Sequence, residues 1–188
     1  MMTLVIGPNQ SGKSATAERL ARQWQADPVQ PRGGLIYVAT MIPANPDGRR
    51  RVTAHQRGRS GAGFITLESP LADLAHTHPG FVEASDIVLL EDVSNLLANL
   101  RFTAALTAAT EVAWERIVWL RDTSRHLIAV TIGGLDPALT VDRETARYIN
   151  DLNRLNQRLA ELADDVIQLT TASPSQPSGQ RQLGRVPV

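Results

Sequence analysis

Short apolar runs alternate with amphipathic stretches along this chain. Residues 3–6 form a β-branched, apolar run that ends at Gly7, and residues 14–25 carry Ala17, Leu20, Ala21 and Trp24 at helical spacing. Residues 35–40 predict a second buried strand, preceded by Gly33 and Gly34 and followed by a stretch rich in Pro and Gly. Between 41 and 63 apolar periodicity almost vanishes, while Arg49, Arg50, Arg51, Arg57 and Arg59 surround His55. Such a segment is either an exposed helix or a long mobile loop, and loops of that length are usually functional or disordered. Residues 64–67 predict a short strand, and the apolar run 86–90 predicts a buried one ending on the acids Glu91 and Asp92. Residues 105–120 are helical in composition and 127–131 predict a further strand. Asp142 reads as the N-cap of a helix with Ile149, Leu152, Leu155, Leu159 and Leu162 at three-to-four-residue spacing. Residues 166–170 predict the last strand, and 172–188, rich in Ser, Pro, Gln and Gly, predict a disordered tail. Strands alternating with helices over 1–171 indicate one α/β domain, a mostly parallel sheet flanked by helices with ligands at the carboxyl ends of its strands.

Composition narrows the function classes. A chain of 188 residues with 43% hydrophobic content can bury one core and is short for two. Nineteen basic residues balance nineteen acidic ones, so no global field would hold the protein on nucleic acid or an anionic membrane. A small-molecule or protein partner is expected instead. There is no cysteine, which excludes disulfides, thiolate metal sites and cysteine nucleophiles. No apolar run approaches the roughly 18 residues of a membrane span, and the first residues lead into a phosphate-binding pattern rather than a signal-peptide core, so a cytoplasmic location is expected. Of the nineteen cationic residues only Lys13 is lysine; the other eighteen are arginine. A bias toward arginine does not explain the one position that escaped it, and Lys13 therefore marks a place that requires a compact ammonium.

That position lies in Gly7, Pro8, Asn9, Gln10, Ser11, Gly12, Lys13 and Ser14, which fit the G-x-x-x-x-G-K-[ST] pattern between a predicted strand and a predicted helix. The expected fold is thus that of a single-domain P-loop NTPase. Backbone N–H groups of such a loop surround a β-phosphate, Lys13 reaches the β- and γ-phosphates, and the Ser14 hydroxyl ligates Mg²⁺. The acid that shares the Mg²⁺ should end a neighbouring strand, where Glu91 stands, with Asp92 as the weaker candidate and a plain surface acid as the competing reading. A P-loop shows that phosphates are held, not what receives them.

Over most of its length the chain resembles the adenosylcobinamide kinase/adenosylcobinamide-phosphate guanylyltransferase family of cobalamin biosynthesis. The resemblance rests on residues 4–14, on Tyr37-Val38-Ala39-Thr40, and on Asp47, Arg51, His55 and Arg59 at the family's spacing from Thr40. It continues through Thr66, Glu68 and Pro70, through 88–97 with Glu91 and Asn95-Leu96-Leu97, and through Asn156-Gln157-Arg158-Leu159 with Ala163-Asp164. The resemblance implies two reactions. The hydroxyl of the aminopropanol arm of adenosylcobinamide takes the γ-phosphate of ATP or GTP; a histidine, matched by His55, then carries GMP from GTP to adenosylcobinamide phosphate. It also implies nucleotide contacts from Arg51, Arg59 and Glu68, and a homotrimer. Neutral imidazole is a competent nucleophile near pH 7, and on a helix Arg51 and Arg59 would share the face of His55 and hold phosphate oxygens. His76, His78 and His126 lack such surroundings and read as structural. Where the family carries Asn-Glu-Val-Gly and Gly-x-Val-Pro after its penultimate strand, this chain has Ile132-Gly133-Gly134-Leu135 and residues 137–140. Two alternatives follow from that departure: a P-loop kinase or NTPase for another small acceptor, and a GTP-binding regulatory protein without guanylyl transfer.

Overall fold

The computed structural model describes residues 1–27, 33–42 and 63–170. Six strands form one sheet in the order β3-β2-β4-β5-β1-β6, and every pairing is parallel. The strands are β1 (Met2–Gly7), β2 (Leu35–Ala39), β3 (Phe64–Glu68), β4 (Ile87–Glu91), β5 (His126–Ile132) and β6 (Asp165–Gln168). The helices are α1 (Lys13–Gln25), α2 (Leu74–Thr77), α3 (Val93–Ala98), α4 (Ala109–Thr123) and α5 (Arg143–Leu162). A π-helical turn, Asn99–Thr103, continues α3, and a 3-10 turn, Pro137–Leu139, precedes α5. The α/β architecture is the expected one.

Continuous apolar runs become central strands because helices cover both faces. In β4, Val88 and Leu90 face a core shared with Leu96 and Leu97 of α3, Ile117 of α4, and Leu152, Leu155 and Leu159 of α5. Ile87 and Leu89 face the other side, with Val5, Ile128 and Val130 against Ala17 and Ala21 of α1. The small residues of α1 let it lie close to the sheet, and Trp24 at its far end stacks on buried His126 with ring centroids 3.5 Å apart. His126 also hydrogen-bonds Thr3, so its structural role is as expected. His76 and His78 bond to Asp73 and Thr77 in the short α2 turn, away from the phosphate loop.

Several boundaries differ from the sequence expectation. The helix expected over 105–120 spans Ala109–Thr123. Ala105 adopts φ 52 and the Leu106 N–H donates to the Leu100 carbonyl, so the alanine-rich run is used to reverse the chain and its helix propensity is overridden. The last strand spans Asp165–Gln168, since it pairs only with Thr3–Ile6 of β1. The tail 172–188 and the segment 43–62 lie outside the described residues. Among the described residues no helix is long and apolar enough to cross a membrane.

Candidate nucleotide site at the carboxyl edge of the sheet

The loop after β1 turns twice through the left-handed region, at Gln10 (φ 61) and at Gly12 (φ 84), which is also the N-cap of α1. Glycine is required at position 7 for a different reason. A Cβ there would lie 2.7 Å from the Leu169 carbonyl oxygen and 2.9 Å from Ser11 Oγ. The turn delivers Lys13 and Ser14 to the first turn of α1, where the helix dipole and unpaired N–H groups favour an anion. Lys13 is buried and its Nζ donates to the Pro8 carbonyl at 2.6 Å. Burial lowers its pKa, against the pull of Asp92 and Glu91.

Glu91 ends β4, one strand removed from β1 because β5 lies between them. The Ser14 Oγ donates to Glu91 Oε1 at 2.6 Å, so α1 and β4 meet across β5. Burial first, and Asp92 second, push the Glu91 carboxyl up to about 8, although the Ser14 bond and the Lys13 ammonium pull it down. Two buried oxygens here have no hydrogen-bond partner, Glu91 Oε2 and Ser11 Oγ. Buried polar atoms are seldom left so, and an unpaired pair at the mouth of a phosphate loop marks a place for a ligand. Asp92, the competing acid, has another task. Its Oδ1 accepts from the Asn95 N–H and the Ser94 Oγ, both at 2.7 Å, and caps α3.

Side chains that sequence reasoning assigned no role hold the carboxyl edge together. Thr40 Oγ1 bonds the backbone of both Glu91 and Asp92, tying the end of β2 to the end of β4. Asn99 Nδ2 donates to the Thr40 and Pro70 carbonyls, and so secures the ends of β2 and β3. The signal in the sequence was slight: a single polar residue beside an apolar run. Glu68 ends β3 in register with Ala39, four strands from β1, or about 19 Å at strand spacing from the phosphate loop. Glu68 is therefore not brought together with Lys13 and Ser14. Asp47, Arg51, His55 and Arg59 lie outside the described residues. The segment after β5, where the family's polar stretch is replaced, runs beside the loop, and the Gly133 N–H donates to the Gly7 carbonyl at 3.1 Å.

Hard oxygen donors from Ser14 and Glu91, with Glu91 Oε2 unpaired, are the chemistry Mg²⁺ selects when phosphates supply the remaining ligands. The arrangement can bind a polyphosphate, shield it from water on the sheet side, and place a cationic amine against it.

Comparison with known proteins gives the fold and the family. A KaiC-like protein from Pyrococcus horikoshii superposes with a TM-score of 0.52, covering 93% of this chain and 73% of that one at 13% identity, which concerns the fold alone. The bifunctional adenosylcobalamin biosynthesis protein CobP of Pseudomonas aeruginosa is 30% identical over 192 residues, covering 96% of this chain and 99% of that protein. Residues 3–176 match the family described as cobinamide kinase/cobinamide phosphate guanyltransferase. With the match spanning nearly the whole chain and a phosphate loop at its head, the protein belongs to that family and is a bifunctional kinase and guanylyltransferase of cobalamin biosynthesis.

Proposed function

We propose that residues 7–14 hold the triphosphate for the first reaction, with Lys13 against its β- and γ-phosphates. The observation that carries this reading is the Ser14–Glu91 contact beside a buried Lys13, at the head of a helix that opens from a glycine turn. Ser14 and Glu91 would hold Mg²⁺, which when bound supplies neutralising charge to the phosphates. The hydroxyl of the aminopropanol arm of adenosylcobinamide attacks the γ-phosphorus, the bond to the bridging oxygen breaks, and nucleoside diphosphate leaves. ATP and GTP both fit a loop that grips phosphates rather than a base.

In the second reaction the His55 imidazole attacks the α-phosphorus of GTP and pyrophosphate leaves. A phosphate oxygen of adenosylcobinamide phosphate then displaces the imidazole, breaking the P–N bond to give adenosylcobinamide-GDP and free histidine. Arg51 and Arg59 hold the α-phosphate oxygens during both steps, and Glu68 contacts the nucleotide at the far end of the carboxyl edge. The family match and the spacing of these residues from Thr40 support the reading. A homotrimer and a cytoplasmic location belong to it as well, and sedimentation equilibrium tests the former.

Intact mass after incubation with GTP and Mg²⁺ is the direct test. An acid-labile GMP adduct that maps to His55, and disappears in His55→Ala while cobinamide phosphorylation persists, is the expected result. An adduct at another residue, or guanylyl transfer at the wild-type rate in His55→Ala, would remove His55 as the nucleophile.

A further inference from the structure

The apolar stripe of α5 that packs on the sheet contains one polar residue. Asn156 is 5% exposed and sits among Leu152, Leu155 and Leu159, where a leucine would bury more apolar surface. Both polar atoms of its amide are engaged at the exit of β5. Nδ2 donates to the Ile132 carbonyl at 2.8 Å, and Oδ1 accepts from the buried Thr131 hydroxyl at 2.7 Å. A carbonyl can only accept, so the amide nitrogen must face Ile132 and the Thr131 hydroxyl must donate.

The Ile132 carbonyl and the Gly133 N–H belong to one planar peptide group, so whatever fixes the direction of the first fixes the second. That Gly133 N–H donates to the carbonyl of Gly7, the first residue of the phosphate loop. Gly133 also approaches β1 so closely that a Cβ would lie 2.6 Å from Ile6 Cγ1. We infer that Asn156 is a positioning residue for nucleotide binding: by holding the 132–133 peptide plane it sets the carbonyl of Gly7, and with it the direction in which the phosphate loop leaves β1. Asn153, one turn earlier, assists by donating to the Leu135 carbonyl at 3.2 Å, so the glycine-containing segment that replaces the family's polar stretch is held through its backbone. The inference rests on the reading of residues 7–14 as the phosphate site.

GDP and GMP separate a loop effect from general loosening, because only GDP carries the β-phosphate that the loop surrounds. In Asn156→Leu, which fills the same space without polar atoms, GDP binding weakens by on the order of tenfold while GMP binding holds. Thr131→Val, which keeps the shape and frees the amide to turn, gives the same selective loss at smaller size, and it serves if Asn156→Leu does not fold. Leu155→Val lowers the melting temperature without changing the GDP-to-GMP ratio. Equal weakening of both nucleotides in Asn156→Leu and Thr131→Val, or no weakening of either, overturns the role of Asn156. If Lys13→Ala also leaves the GDP-to-GMP ratio unchanged, the phosphate-site reading itself fails.

Discussion

Lys13 shows what a single side chain can disclose. In a chain otherwise furnished with arginine, this one ammonium is buried beside two acids and folds onto its own loop through Pro8. A guanidinium is planar and wider, and cannot take the same path between loop and helix without displacing one of them. Lys13→Arg is accordingly expected to keep the fold and to lose on the order of a hundredfold in kcat/KM for cobinamide phosphorylation, as a misplacement near 1 Å does. Steady-state kinetics with varied triphosphate checks this; a loss below threefold would mean that charge alone matters at that position. Glu91 and Asp92 make the complementary point. Adjacent in sequence and both buried, they have separate tasks because one faces Ser14 and the other caps a helix. The strand end already favoured Glu91 over Asp92 in the sequence; the capping task of Asp92 came only from the start of α3.

Elements were legible wherever periodicity or punctuation was strong. The strand, loop and first helix around residues 7–14, and the long α5 with its Asp142 cap, are where the pattern placed them. The helices of six residues or fewer, α2 and α3, were not. α3 is too short to show a period, and its clearest mark, Asp92 as N-cap, was read as a candidate metal ligand. The site was legible in its phosphate-binding half, whose residues are contiguous, but not in the hydrogen bonds of Thr40, Asn99 and Asn156, which join residues 24 to 59 positions apart in the chain. Such pairs carry no local signature. The amino end of the sheet offers a matched contrast with the carboxyl end. At Gly33, a Cβ would lie 1.9 Å from the Ser85 carbonyl oxygen, so Gly33→Ala must push β2 and the entry to β4 apart. It should lower stability by about 1–3 kcal/mol, and for a chain of this size the melting temperature by several degrees. GDP affinity should not change, since the damage lies at the opposite edge from the phosphate loop. Denaturant unfolding together with a GDP titration tests both parts.

At the scale of the whole molecule, two buried groups contribute opposing pH dependences to stability. Glu91 releases its proton near 4.5 when unfolded and near 8 when folded, so the stability it contributes is complete below 4.5 and is lost as pH rises through 8. His126 runs the other way. Its pKa falls from 6.5 to about 4 on burial, so stability present above 6.5 is lost as pH falls through 4. Between 4.5 and 6.5 the two slopes oppose each other, and the nucleotide-free protein should show a plateau there, with a falling limb on each side. Glu91→Gln should flatten the alkaline limb between pH 6.5 and 8; an unaltered limb in melting curves of that variant would show that the acid is not its cause. The solitary lysine has a consequence of another kind. Reagents that acylate ε-amines have one side-chain target in this chain, and it lies inside the phosphate loop, shielded by Pro8 and by any nucleotide seated there. Amine labelling at Lys13, read by peptide mapping so that the exposed α-amine of Met1 is counted apart, is thus an occupancy meter for the site.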